Sequence, residues 1–532
     1  MRITNKVMQN NALSNINNNK VLQDTLNTQL STGKKIYKPS EDPVTAIRAL
    51  RLRSDVSQVT QFYKKNVPDA NSWLELTESS VKTVMEVVKN MVTQCEKGSN
   101  DTLTTGDRQI IINSLKQLKD EVYSTGNSDY AGRYIFTGYR TETPLTFKEN
   151  SDRSFKIQEM FNKDDFSQET FISTNDGGVS LGNITESSFD NTNGTFQLAE
   201  QNITSHTFYR VRLAYDNLSG IDAPLVMDDA GNPISTTNVP VIKDNAGNTI
   251  PASITTATDK EQAYKDIASA TGDEMIFVAS TGEILFSADL YDKIKAGDAS
   301  ITVAYDKNNW NKGDLMPQHY FYCEETTKEG KVIKYNDEDE DKDGVPDIYK
   351  NGLLDQSIEY QVGFDQSARV NTTAGEIFKH GVTRDVKEII DLANQLGDAE
   401  AIQSKLASML KDSKYSDTQK ESIQQDKDAA DKAVSLLKDQ LQKKFSKSIT
   451  YMQSYLDSAN EALTMVGNRS SRVKLVENRL SSQTTTFKTL QSENEDADAT
   501  EVAVQLSSAQ VSYQAALMAT SDMIKETLLN YL

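Results

Sequence analysis

"LSTGKKIYKPSEDPVTAIRAL", residues 30–50, is the most heavily punctuated stretch near the start of this chain. Gly33 can end a helix in the left-handed conformation, Lys34 and Lys35 suit that helix's negative end, and Pro39 bars its resumption. Ser40 or Asp42 can then cap a second helix, with Pro43 in its first turn, where a missing N–H costs nothing. The stretch therefore cuts the N-terminal segment away from everything after it. The architecture turns on what that segment is.

At helical spacing, Ile3, Val7, Asn10, Ser14, Asn17 and Val21 form a coiled-coil seam. A second track carries Leu13, Ile16, Leu22, Leu26 and Leu30. The seam is only half apolar. Burying one Val or Leu gives about 1.5–3 kcal/mol, whereas ordering each backbone residue costs ~1–2 kcal/mol. The segment is not expected to hold a helix alone. Asn at seam positions weakens such a pair but fixes its register against a partner.

The other end has the same character. After the breaker "SENEDAD" (492–498), a helix is expected from about Ala499 to Leu532. Val502, Leu506, Ala509, Tyr513, Ala516 and Met523 share one seam, with Leu517, Ile524 and Leu528 beside it and Ser507, Gln514, Ser521 and Lys525 opposite. The acidic residues at its start suit a helix N-terminus. Two such helices are natural mates for each other and for further copies. They read either as a closed intramolecular coiled coil or as assembly segments, unfolded in the monomer and ordered in a polymer. The break at 33–43 favours the second, because it isolates the segment from the body.

Between the ends, Pro43 to about Lys97 is helical, with a break expected near Pro68 and Trp73, Leu74, Val81, Val84, Val88 and Val92 on one face. Cys95 reads as a small core residue of that run. A helix follows from about Arg108 to Thr125. "YAGRYIFTGYRTETPLTF" (130–147) then switches to period two, Tyr134 and Phe136 on one face and Ile135 on the other, with bends at Gly132 and Gly138. Residues 149–372 are rich in Thr, Asn, Asp and Gly, with short β-branched runs ("HTFYRVRLAY", "EMIFVAS", "ASITVAY", "SIEYQVGF"), the signature of a β-rich insertion. Helical pattern resumes near Arg384. The run from about Ser416 to Ser492 has no proline and one glycine, Gly467, where an interruption is expected. The fold class is mainly α with an inserted β-rich domain, its helical coiled-coil core made from both chain termini. The divisions are 1–33 (N-terminal assembly helix), 34–148 (helical body and β-hairpin), 149–372 (outer β-rich insert), 373–494 (C-terminal helical body) and 495–532 (C-terminal assembly helix).

Lys and Arg number 57 against 77 Asp and Glu, a formal charge of −20, which argues against binding nucleic acid or anionic membranes. Two cysteines, Cys95 and Cys323, offer no disulfide framework. No apolar run is long enough to span a bilayer, and "MRITNKVMQNNALS" lacks the apolar region of a secretory signal. The three histidines, His206, His319 and His380, stand in dissimilar contexts without the spacing of a catalytic or metal motif, so no enzyme is expected and no cofactor is required. One motif rises above background: "NDEDEDKDGVPD" (336–347). Asp339, Asp341, Asp343 and Asp347 occupy positions 1, 3, 5 and 9 of a D-x-D-x-D-G loop, hard oxygen ligands at a spacing that can wrap Ca²⁺ within residues 337–347. Position 12 is Lys350 rather than a bidentate Glu, so the loop is closer to thrombospondin type 3 or dockerin repeats than to an EF-hand.

"MRITNKVM", "LSTGKKIYKPSEDPVTA", "NVPDANSWLELTESS", "YAGRYIFTGYRTETP" and the C-terminal "NEDADATEVAVQLSSAQVSYQAALMATSDMIKETLLNYL" together resemble the flagellin superfamily, and within it the subunits that join hook to filament. "NRSSRVKLVENRL" (468–480) is similar to a segment shared with flagellins proper. The resemblance covers roughly residues 1–147 and 450–532. It implies paired terminal helices in the inner core of an axial tube and an outward-facing middle domain. It also implies a structural, extracellular role at the hook–filament junction, in motility, with type III export and no cleaved signal peptide. The implied partners are further copies in a ring, the first hook-associated protein, flagellin and an export chaperone. On that resemblance, Ile3, Val7, Asn10, Asn17, Val21, Val502, Leu506, Ala509, Tyr513, Leu517, Ile524 and Leu528 would carry assembly. The alternatives are a flagellin forming the filament itself, or a secreted calcium-binding adhesin on a helical stalk. The insert departs from the family pattern, and no role for it carries over.

Overall fold

The structure is a computed structural model that describes residues 5–100, 103–176, 179–189, 198–222, 226–227, 233–234, 241–244, 247, 249–250, 252–338, 348 and 356–529. The chain forms two compact units: residues 1–72, 360–368 and 470–532 make the first, and 73–359 with 369–469 the second.

Helix α1 (Asn5–Thr32) ends at Gly33, whose φ of +67° is open to glycine and whose N–H donates to the Gln29 carbonyl at 2.8 Å. Asp42, rather than Ser40, caps α2 (Pro43–Gln61), accepting from the N–H groups of Val44 and Thr45 at 3.0 and 3.1 Å. The break expected near Pro68 is instead a π-turn, Phe62–Asn66, that leads without interruption into α3 (Val67–Gly98); the Val67 N–H donates to Phe62 O. Pro68 has no N–H for the Lys64 carbonyl, and in α register its ring would crowd that oxygen. The wider turn before it removes the conflict. Trp73, Leu74, Val81, Val84, Val88, Val92 and Cys95 are all buried.

Helix α4 (Thr105–Thr125) begins earlier than Arg108, because Thr104 and Asp107 form a reciprocal capping box. β1 (Asp129–Tyr130) and β2 (Arg133–Tyr134) pair as a hairpin turned by Ala131 and Gly132, both at positive φ. The alternation expected beyond it does not continue. Ile135 and Phe136 are both buried, and Gly138 at φ +60° turns the chain away.

The β-rich region follows: β3 (Ser154–Phe161), β4 (Ser167–Ser173), β5 (Thr204–Arg212), β6 (Gly220–Asp222), β7 (Val241–Lys243), β8 (Thr249–Ile250), β9 (Ser253–Ala257), α5 (Lys260–Ser269), β10 (Glu274–Val278), β11 (Glu283–Phe286), α6 (Ala288–Ala296), β12 (Ser300–Lys307), β13 (Cys323–Thr326) and β14 (Val332–Tyr335). One seven-stranded sheet runs β8-β7-β12-β3-β13-β14 with β6 beside β12, and a five-stranded sheet runs β9-β10-β11-β5-β4. Phe155, Ile157, Phe277, Phe286, Tyr305 and Trp310 share a core. The two short helices were not expected from the strand-like composition. Asp259 and Ser287 cap them, and α5 seats Tyr264 against Phe208 with ring centroids 4.7 Å apart.

β15 (Glu359–Gly363) and β16 (Gln366–Arg369) pair with each other alone. Residues 360–368 belong to the first unit, although their strand-like sequence reads as the end of the insert. Helix α7 (Gly381–Lys411) precedes α8 (Asp417–Glu495), whose 79 residues pass through Gly467 without the expected interruption. One mid-helix glycine costs about 1 kcal/mol, little beside the burial of Met452, Ala459, Val466 and Val473 around it. Helix α9 (Ala499–Leu529) follows a short break at 496–498. Among the described residues, no helix is long and apolar enough to cross a membrane.

Candidate assembly surface

Within the first unit, α1 and α9 lie antiparallel: Lys34 bridges to Asp496, Leu26 packs with Val502, Leu506 and Ala509, and Gln23 donates to the Ala509 carbonyl at 3.0 Å. The face that α9 offers is the seam of its sequence. Val502, Leu506 and Ala509 are buried, and Tyr513 and Ala516 are half-buried, whereas Leu517 is exposed. The side chains of Ile524 and Leu528 lie outside what the structure describes, as does Ile3.

On α1 the structure corrects the expected face. The covered positions are Ala12, Ile16, Asn19, Gln23 and Leu26, themselves spaced by four and three. Val7, Asn10, Asn17 and Val21 are exposed. The heptad spacing is the expected one, and Val7, Asn10, Asn17 and Val21 lie outside the α1–α9 contact. The observed face buries Leu26 and half-buries Ile16, both of which belong to the second track, and the Gln23 amide that it also covers finds the Ala509 carbonyl.

The junction between the ends is polar and tightly specified. The Lys35 N–H donates to Glu495 O at 2.8 Å and the Ala497 N–H to Gly33 O at 2.9 Å, so the two helix breaks satisfy each other's backbone. Glu495, with 3% of its side chain exposed, takes Arg53 Nε and Nη2 on separate oxygens, both at 2.7 Å. The hydrogen bond from Arg53 holds the Glu495 carboxyl below its usual range against the opposing effect of burial. Lys34 bonds Asp496 at 2.6 Å, a pair exposed enough to contribute at most about 1 kcal/mol.

This pairing leaves apolar side chains in water. Val504, Val511 and Met518, one heptad apart on α9, are 66, 64 and 70% exposed. Val7, Leu13, Val21 and Leu22 on α1, and Val44, Ile47 and Leu50 on α2, are exposed as well. Scattered single residues need no explanation; these three stand out because they recur at heptad spacing along α9.

The remaining candidates differ in kind. His319 Nε2 lies 3.0 Å from the Pro144 carbonyl and His380 Nε2 lies 3.0 Å from the Tyr215 hydroxyl; burial pulls the two rings down to about 4 and about 3. His206 sits 2.9 Å from the Thr204 hydroxyl. Asp339, Asp341, Asp343 and Asp347 lie outside the described residues, and among the described residues no cluster of three or more His, Cys, Asp or Glu could hold a metal ion. In the second unit, sequence reasoning missed an ion network: Arg210 bonds Glu283 and Glu388, Arg212 bonds Asp385 and Glu388, and Lys444 bonds Glu388. Burial alone would raise the Glu388 carboxyl, but its three cations hold it well below the usual range. The network borders an open cavity of about 860 Å³ that Phe171, Phe208 and Tyr264 also line. Its members come from β5, β11, α7 and α8, so no sequence window contains it.

Residues 3–141, which span α1 to α4 and the β1–β2 hairpin, match the family model of the bacterial flagellin N-terminal helical region. Over 143 residues, 27% of this chain, the sequence is 32% identical to Flagellar hook-associated protein 3 of Salmonella typhimurium, a match spanning 45% of that protein. It is also 29% identical over 128 residues, 24% of this chain, to Flagellin of Clostridium tyrobutyricum, spanning 34% of that protein. The chain thus spans less than half the length of the curated relatives it matches. Among solved structures, a flagellar hook-associated protein from Vibrio parahaemolyticus aligns over 86% of this chain and 100% of its own at 12% identity and a TM-score of 0.33.

Proposed function

We propose that this chain is a structural, non-enzymatic subunit of the bacterial flagellum that forms the hook–filament junction. The observation that carries the reading is the α1–α9 pair, built from both chain ends and edged by the exposed heptad stripe Val504, Val511 and Met518. The similarity of the N-terminal region to hook-associated protein 3 supports it. In this role the partners are further copies in a ring, the first hook-associated protein on one side, flagellin on the other, and a chaperone during export without a cleaved signal. Immunogold labelling of isolated flagella tests the reading. Label confined to the boundary between hook and filament is expected, and absence of label from flagella overturns it. Label along the whole filament would support the rival, a filament-forming flagellin, which the shorter match to Flagellin favours.

The acidic loop at 337–347 is a second, separable proposal: Asp339, Asp341, Asp343 and Asp347 bind Ca²⁺ through the alternating carboxylates of the sequence. Calorimetric titration of the full chain with Ca²⁺ should show one site that Asp341→Asn together with Asp343→Asn removes. No heat in the unaltered chain rejects the site and, with it, the calcium-dependent adhesin.

A further inference from the structure

The π-turn between α2 and α3 is not left to itself. The β15–β16 hairpin of the same unit rests on it at two points. Phe364, at the hairpin tip, meets the Phe62 ring edge-on, with centroids 5.6 Å apart and planes at 86°. Asn66 Nδ2 donates to the Gln361 carbonyl at 2.7 Å. Both ends of the five-residue turn are therefore held by one small element. The hairpin is tied in turn to α8, where Arg479 donates to the Gln366 side chain and Arg472 to the Ser367 carbonyl.

The turn needs such support. π-turns are rare and occur mostly as single turns inside α-helices, so one persists only where its surroundings hold it. Relaxation to α register is blocked from one side by Pro68, which leaves the Lys64 carbonyl without a donor. The alternative to the docked turn is therefore an opened joint rather than a straight helix. The contact that holds it is slight, since Phe364 remains 41% exposed. A small surface contact on an irregular turn is the physical requirement for a latch.

We propose that the β15–β16 hairpin is a latch on the π-turn Phe62–Asn66. Docked, it holds the turn in its π register. Undocked, it lets the turn open and re-aims the exposed Val44, Ile47 and Leu50 face of α2. Resting on the assembly reading, this would let identical subunits meet neighbours of two kinds.

Amide hydrogen exchange on the full-length monomer tests the latch, so its failure leaves the assembly reading untouched. In Phe364→Ala/Asn66→Ala, which loses one aromatic pair and one hydrogen bond, the amides of residues 62–67 should exchange about tenfold faster, with α4 and β3 unchanged. Adding Pro68→Ala should restore slow exchange, because the Lys64 carbonyl regains a donor. Unchanged exchange at 62–67 in the double variant overturns the proposal. So does faster exchange spread evenly over both units, or a triple variant as fast as the double.

Discussion

Arg53 on α2 and Glu495 at the end of α8 form a two-point ion pair, each bond 2.7 Å, at the place where both chain ends break their helices. The pair joins residues 442 positions apart. It turns two locally encoded helix breaks into one joint, beside which α1 and α9 begin to run together.

The joint predicts acid sensitivity of a definite sign. Glu495 is held below its usual value by Arg53, so the folded state favours the charged form. Its stabilising effect is complete above the unfolded carboxyl value of about 4.3 and is lost as pH falls through the depressed folded value. Amide protection across α1 and α9 should therefore decay below about pH 4. Glu495→Gln should lower that protection at pH 7 by about 1 kcal/mol, the modest figure following from the exposure of Arg53, and should flatten its pH dependence.

Substitutions on the two faces of α9 should fail in different ways. Leu506→Asp puts a carboxylate against Leu26, costs about 3 kcal/mol and should abolish α1–α9 protection in the free monomer. Val511→Asp changes a side chain 64% exposed, so circular dichroism and exchange of the monomer should match the parent. Under the proposed role, its incorporation into flagella should nonetheless fall at least about tenfold, since a charge in a desolvated interface costs more than the 1.4 kcal/mol of one decade. Normal incorporation would remove the stripe from the assembly surface.

Glu159 supplies a prediction of opposite sign for the β-rich region. Burial pushes its carboxyl up to about 7, although it accepts hydrogen bonds from the Tyr305 hydroxyl and, at 3.0 Å, from the Ala214 N–H. The folded state then binds a proton that the unfolded chain releases, so stability should fall as pH rises from about 4.5 to 7. Glu159→Gln keeps an acceptor without the charge. It should raise stability at pH 8 by on the order of 2 kcal/mol and have little effect at pH 4, as read by urea denaturation at the two values.

Gly282 tests a backbone requirement in the same region. It sits at φ +62°, and a Cβ there would lie 1.9 Å from the Tyr215 carbonyl oxygen. Gly282→Ala therefore adds left-handed strain to a clash with backbone that no rotamer can relieve. A loss of at least about 3 kcal/mol is expected by denaturation.

Much of the plan was legible because it is written locally. Gly33, Asp42 and Pro43 act within a few residues of themselves, and the seam of α9 recurs at helical spacing over several turns. Where several tracks compete, as on α1, apolar spacing alone did not choose among them. Pro68 announced an irregularity whose form the sequence left open, since a proline can end, kink or widen a helix. The ion network of Arg210, Arg212, Glu283, Glu388 and Lys444 left no signal at all, because charged residues far apart in sequence look like any solvated surface.

Where helices start and stop, the seams at both chain ends and the β-rich stretch that interrupts a helical chain can all be read locally. Each is a consequence of dihedral preference, capping or periodicity within a window of a few turns. Which face of α1 turns toward α9, the seating of the β15–β16 strands against the π-turn and the pairing of Arg53 with Glu495 emerge only on folding. Those choices compare burial and pairing energies among groups hundreds of residues apart, a comparison that no window of sequence contains.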